Sequence, residues 1–229
     1  MSRLNKQERA AIDAVAKHFS ATCKEGEDAS GATLTIAGKR IAVEVATIKQ
    51  KIADKPRLRF DKVVLRLIGD LRAALCEFVP DGEAVIVTCT APIRLSSKTT
   101  AALESEIRDR LARRSVKADI KETINGNHVR VRFVNGVAKR ASKVIGFVHN
   151  PDCDPNVLLD TAQSLLQLIG AAERTSAKSK KARWLVVIVD GGSSHIETWR
   201  QVYAQLSIST DFARILMVFE GDRVEALSE

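Results

Sequence analysis

Residues 26–49 read GEDASGATLTIAGKRIAVEVATIK, a turn followed by two short strands. The strands, 32–37 and 40–47, meet at Gly38-Lys39, a pair suited to the tight reversal of a β-hairpin. Alternation along the second strand puts Ala42, Glu44 and Ala46 on one face and Val43 and Val45 on the other. Glu44 is therefore a carboxylate in the middle of an apolar strand. Burying it is unfavourable unless the charge is paired, hydrogen-bonded or bound to a metal. Asp28 precedes the hairpin, and the fold-back brings it towards Glu44. Two such carboxylates make an oxygen site suited to Mg²⁺ or Mn²⁺. An ion there would activate water and neutralise charge on a phosphodiester. The alternative is that Glu44 pairs with a Lys or Arg from a neighbouring element.

Outward from this hairpin, helices and strands interleave. Residues 4–23 place Leu4, Ala11, Ile12, Val15 and Phe19 at helical spacing, with Glu8 on the same stripe. Residues 49–58 contain Pro56 and read as a loop. A second helix over 61–78 carries Val64, Leu67, Ile68, Leu71, Leu75 and Phe78 on one face. The run AVIVTCT, 84–90, reads as a buried strand between Gly82 and Pro92. Ser96 or Ser97 caps a third helix reaching about Arg114. In it Glu104, Glu106 and Asp109 precede Arg108, Arg110 and Arg113 at i, i+4, so its arginines read as a solvated, paired face rather than a nucleic-acid surface. Residues 117–121 and 128–134 form a second hairpin, turning at Asn125-Gly126-Asn127, and 143–149 another strand. Asp154 and Pro155 open a helix through Leu158, Leu165, Leu166 and Ile169. After the basic connector 174–183 come a strand at 184–189, a short helix with Ser194 and Glu197 as a capping box, and strands at 213–219 and 223–227. This order predicts an α/β fold: a central mixed β-sheet flanked by helices, in one domain over 1–229, with a boundary near 137 as the alternative.

The chain has 229 residues, and its 36 Lys plus Arg exceed its 28 Asp plus Glu, for a formal charge of +8. That surplus favours contact with polyanions. Arg174, Lys178, Lys180, Lys181 and Arg183 gather in one connector. The first residues, MSRLNKQERAAIDAVAKHF, carry charges throughout and lack the apolar stretch of a secretory signal. No window approaches the ~18 uninterrupted apolar residues of a membrane helix, so a cytoplasmic, membrane-free protein is expected. The four cysteines, Cys23, Cys76, Cys89 and Cys153, are scattered and form no C-x-x-C pair, which fits a reducing compartment.

Other motifs carry less. His149-Asn-Pro-Asp-Cys153-Asp154 collects metal-capable side chains, but Asp154 serves as a helix cap and no second cluster completes a zinc site. Asp190-Gly-Gly-Ser-Ser lies between a strand and a helix, where phosphates can meet backbone N–H groups, yet it lacks the P-loop lysine and reads as a turn with a cap. There is no G-x-S-x-G, and His18, His128, His149 and His195 have no neighbouring nucleophile pattern.

Glu8 on the first helix, Asp28 before one strand and Glu44 on the next give residues 4–49 a resemblance to the PD-(D/E)xK superfamily, whose fold is restriction-endonuclease-like. The helix, basic connector, WLVVIVDGG and FARILMVFEGDRVEAL at 155–227 are similar to closing segments of several of its branches. The resemblance implies that Asp28 and Glu44 hold Mg²⁺ or Mn²⁺, that Glu8 supports the ion, and that the three acids converge. The triplet departs from the pattern, reading Glu44-Val45-Ala46, so the lysine that orients attacking water is replaced by alanine. Lys49, or Lys39 in the hairpin turn, is the substitute such a site would use. The resemblance thus implies a nucleic-acid-acting domain, either a metal-dependent phosphodiesterase or a degenerate binder. The alternative is a non-catalytic α/β interaction protein that meets nucleic acid or a protein through basic surfaces.

All four cysteines are expected to be reduced. Thiol titration of the unfolded, non-reduced chain should find four reactive groups, and a count of two or fewer would contradict this.

Overall fold

The structure, a computed structural model, describes residues 4–25, 31–49, 61–113, 119–138, 141–149, 155–176, 182–190 and 196–228. The elements run α1 (Lys6–His18), β1 (Thr22–Glu25), β2 (Ala32–Ile36), β3 (Lys39–Lys49), α2 (Lys62–Leu75), β4 (Glu83–Thr90) and α3 (Ser96–Arg113). They continue through β5 (Asp119–Ile124), β6 (Asn127–Asn135), β7 (Val144–His149), α4 (Pro155–Ser176), β8 (Arg183–Asp190), α5 (Ile196–Leu206), β9 (Arg214–Phe219) and β10 (Arg223–Ser228). The α/β class is as expected. The strands divide differently: among the described residues they form two mixed sheets, where the interleaving predicted one. The chain forms two compact units, one of Met1–Ala53, Ala171–Arg200 and Thr210–Glu229, the other of Asp54–Gly170 and Gln201–Ser209, and none of these boundaries falls at 137. Side-chain periodicity reports which face is buried, not which strand pairs with which, so it left this division open.

In the first unit the strand order is β1-β2-β3-β8-β9-β10. β3, β8 and β9 are parallel, and the remaining pairs antiparallel. One face of this sheet carries Leu34, Ile41, Val43, Trp184, Val186, Leu216 and Val218, packed with Ala11, Ile12 and Val15 of α1. A capping box starts α1: the Glu8 N–H donates to Asn5 Oδ1 at 2.9 Å, and the Asn5 N–H to Glu8 Oε2 at 2.8 Å. The apolar stripe predicted a helix to 23, but it ends at His18. Ser20 turns left-handed (φ 50°), and Thr22–Glu25 pair with β2 instead. The β2–β3 reversal falls one residue earlier than expected, on Ala37 and Gly38, with φ 47° and 79°.

In the second unit the order is β5-β6-β4-β7, with β4 and β7 parallel. Leu67 and Leu71 of α2 and Leu103 and Ile107 of α3 pack with Val85, Val87, Val129, Val131 and Val148 on one face. On the other face α4 follows β6: Arg130 Nη1 donates to Asn156 Oδ1 at 2.7 Å, Arg132 Nη1 to Gln163 Oε1 at 3.1 Å, and Arg132 also pairs with Asp160. The β5–β6 turn uses Asn125 (φ 50°) and Gly126 (φ 77°) alone. Asn127 belongs to the strand. Its buried amide accepts the Arg94 N–H at 2.7 Å and donates to Arg94 O and Thr99 Oγ1 at 2.8 and 2.9 Å. The Glu104–Arg108 and Glu106–Arg110 pairs form at 2.7 and 2.5 Å, and Arg110 reaches Glu122 at 3.3 Å.

Two glycines on helices separate sterics from propensity. A Cβ at Gly170 would lie 2.5 Å from Gly136 O and 2.6 Å from Val137 C, backbone atoms that no rotamer change can move. A Cβ at Gly69, on the exposed side of α2, meets nothing within 4 Å. In urea titrations, Gly170→Ala should lose roughly 1–3 kcal/mol of stability by overpacking. Gly69→Ala should gain up to about 1 kcal/mol through helix propensity.

Candidate functional site

Glu44 sits on a strand buried between β2 and β8, and it is 8 % exposed. The parallel register sets Ala42 against Arg183 and Glu44 against Leu185, so Arg183 points to the same face as Glu44, two rungs away. The Arg183 Nη1 to Glu44 Oε1 distance is 3.6 Å, and both side chains are withdrawn from solvent. Arg183 also approaches Asp211 at 3.9 Å and lies 4.9 Å over the Phe212 ring. The Glu44 Oε1 accepts no hydrogen bond. Burial pushes the Glu44 carboxyl up from its ordinary 4.5 to about 7, and the Arg183 cation opposes that shift without cancelling it.

The other predicted site residues do not gather there. α1 packs on the face that carries Val43, and Glu44 points to the opposite one, so the sheet lies between Glu8 and Glu44. The Glu8 carboxylate caps its own helix. Lys49 is exposed at the end of β3, five residues from Glu44 and on the other face. That places it roughly 16 Å along the strand. Lys39 shares that face and is exposed at the opposite end of β3. Convergence of Glu8 with Glu44 is thus corrected, because an odd number of residues decides the face and α1 covers the odd-numbered one. Asp28 lies outside the described residues. Among the described residues no group of three His, Cys, Asp or Glu stands close enough to hold a metal ion. Among the described residues, the charged group that faces the Glu44 carboxylate is the Arg183 guanidinium.

His149 ends β7, while residues 150–154, with Cys153 and Asp154, lie outside the described residues. So do Gly191–His195 and, from the basic connector, Lys178, Lys180 and Lys181. Arg174 is exposed on α4. His128 is exposed, its Nδ1 3.3 Å from Thr123 Oγ1. Burial pushes the Cys89 thiol up to about 12, which leaves it unreactive. No helix among the described residues is long and apolar enough to cross a membrane.

Two features escape a reading of the sequence. Local composition groups Arg183 with a polar, basic connector, although it is the buried first residue of β8. The second is a cavity of about 370 Å³ at the carboxyl ends of β8 and β9, lined by Gln7 and Ala10 of α1 and by Asp190, Phe219, Glu220 and Asp222. Comparison with known proteins adds no relative: no family model matches the chain, and neither a curated protein nor a solved structure matches it.

The raised Glu44 carboxyl has a signed consequence. The native state keeps its proton up to about pH 7, whereas the unfolded chain releases it near 4.5. The native state therefore binds more protons within that window, and stability falls as pH rises through it. Glu44→Gln removes the effect. Between pH 4.5 and neutrality the wild type should lose stability relative to Glu44→Gln by up to about 3 kcal/mol, at ~1.4 kcal/mol per pH unit. Urea titrations across that range measure it. A difference that stays flat with pH would mean that Glu44 titrates normally.

Proposed function

We propose that this chain is a non-catalytic α/β interaction protein that contacts nucleic acid through basic surfaces. The Glu44–Arg183 pair carries this reading. Metal-assisted hydrolysis needs carboxylates free to share a cation, and the acid at the motif position faces an arginine instead. The replacement of the motif lysine by Ala46 agrees, since a binder has no attacking water to orient. The excess of 36 basic over 28 acidic residues supplies the driving force, because cations that neutralise phosphates release condensed counterions.

The competing reading is the metal-dependent phosphodiesterase, with Asp28 and Glu44 as ligands. Thermal melts in Mg²⁺ or Mn²⁺ separate the two, because an ion that binds only the native state raises the melting temperature. No rise is expected. A rise that Glu44→Gln abolishes would replace the binder with the phosphodiesterase. Oligonucleotide affinity should fall steeply between about 50 and 200 mM salt, and absence of binding at the low end would remove nucleic acid as the partner.

A further inference from the structure

We infer that the amino-terminal edge of the first unit's sheet, where β3, β8 and β9 begin, is the surface that receives the nucleic-acid backbone. This rests on the binder reading and adds to it the place of contact. Because these three strands are parallel, their first residues lie along one edge, with Ala42 beside Arg183 and Trp184 beside Arg214. Lys39 and Arg40 extend β3 beyond the first of those rungs, and both are exposed. α1 runs the opposite way. Its Gln7 and Ala10 line the cavity at the far edge, while Phe19, just past its last turn, lies 4.9 Å from Trp184. Lys17 and His18, both exposed, therefore come to the same edge as Lys39 and Arg40.

Arg214 completes the set. Its guanidinium lies over the rings of Phe19 and Trp184, 5.5 and 5.3 Å from their centroids, which holds the cation in place before any ligand arrives. From β3 to β9 the edge crosses two strand spacings, about 10 Å. That is the axial run of about three phosphates on one DNA strand. Among the described residues the acid at this edge is Asp211, which approaches Arg183. The acids gather at the other edge, where Asp190, Glu220 and Asp222 line the cavity. Exposed Lys49 and Arg223 also stand at that edge beside these acids, so the sheet is polarised in net charge, with its excess of cations at the amino-terminal end. An anionic membrane would also attract them, but among the described residues the large exposed apolar side chains, Val63, Phe78 and Leu95, all belong to the other unit. A surface of cations without an exposed apolar anchor fits a phosphate backbone better than a bilayer.

The test uses the full chain and two charge reversals of equal size. One is Lys39→Glu with Arg40→Glu at the proposed edge. The other is Lys62→Glu with Arg66→Glu on the exposed face of α2. Binding to labelled duplex and single-stranded DNA is measured from about 50 to 200 mM salt. The edge variant should bind at least about tenfold more weakly, with its log–log salt slope reduced by about 2, one for each phosphate no longer neutralised. The α2 variant should stay close to wild type. Equal weakening in both variants would overturn the assignment while leaving the binder reading intact. Failure of the wild type to bind either DNA at the lowest salt would overturn both. Preferential binding to phosphatidylserine vesicles, abolished in the edge variant, would assign the edge to a membrane and overturn the proposal. If the edge variant melts early, Lys17→Glu, on exposed helix surface, replaces it with an expected slope change of about 1.

Discussion

The parallel pairing of β3 with β8 joins residues 42–49 to residues 183–190 across eight rungs. Nothing local enforces it, since more than 130 residues separate the two strands. The entropic penalty for closing so long a loop grows only logarithmically, so burial can outweigh it. β8 supplies that burial: Arg183 through Val189 are all withdrawn from solvent. Leu185, Val186 and Val187 are fully covered. The pairing then places every other feature of the first unit. It sets Arg183 beside Glu44, aligns the basic starts of three strands, and brings Asp190 to the cavity at their ends.

The Glu44–Arg183 pair follows from that register and bears on function. A carboxylate on an inner strand must meet a cation or remain protonated, and here it does some of each. Arg183 stands at 3.6 Å without a hydrogen bond to Oε1, close enough to lower the carboxyl but not to restore its ordinary value. Buried pairs of this kind contribute little net stability, whereas removal of one partner strands the other. The pair therefore constrains what can change at either position. It also gives Glu44, a buried acid, a protein cation as its neighbour.

The two ends of the same sheet differ in character. Its amino-terminal edge carries Lys17, Lys39, Arg40 and Arg214, and its carboxyl-terminal edge sets Asp190, Glu220 and Asp222 beside Lys49 and Arg223. A net charge of +8 alone would spread a weak field over the whole molecule. The net excess of cations at the amino-terminal edge concentrates it, and the aromatic rings beneath Arg214 fix part of it in direction. The second unit lacks this pattern on α3, where Arg108 and Arg110 are answered by Glu104, Glu106 and Glu122.

The sequence by itself determined the α/β class, nearly every helix and strand, and both hairpins, because side-chain period and turn chemistry are local properties. It also determined that Glu44 lies inside an apolar strand and that α3 pairs Arg108 and Arg110 at i, i+4, though not Arg113 with Asp109. It was misleading at Thr22–Glu25, where the apolar stripe of α1 ran on past a left-handed Ser20. It placed the Gly38 and Asn125 turns to within a residue. Tertiary structure alone decided that the strands form two sheets, that α1 covers the face opposite Glu44, and that Arg183 is the cation Glu44 meets. Those outcomes depend on which strands pair and in what register. Strand pairing is set by backbone hydrogen bonds between distant segments, and these leave no periodic mark on the side chains of either one.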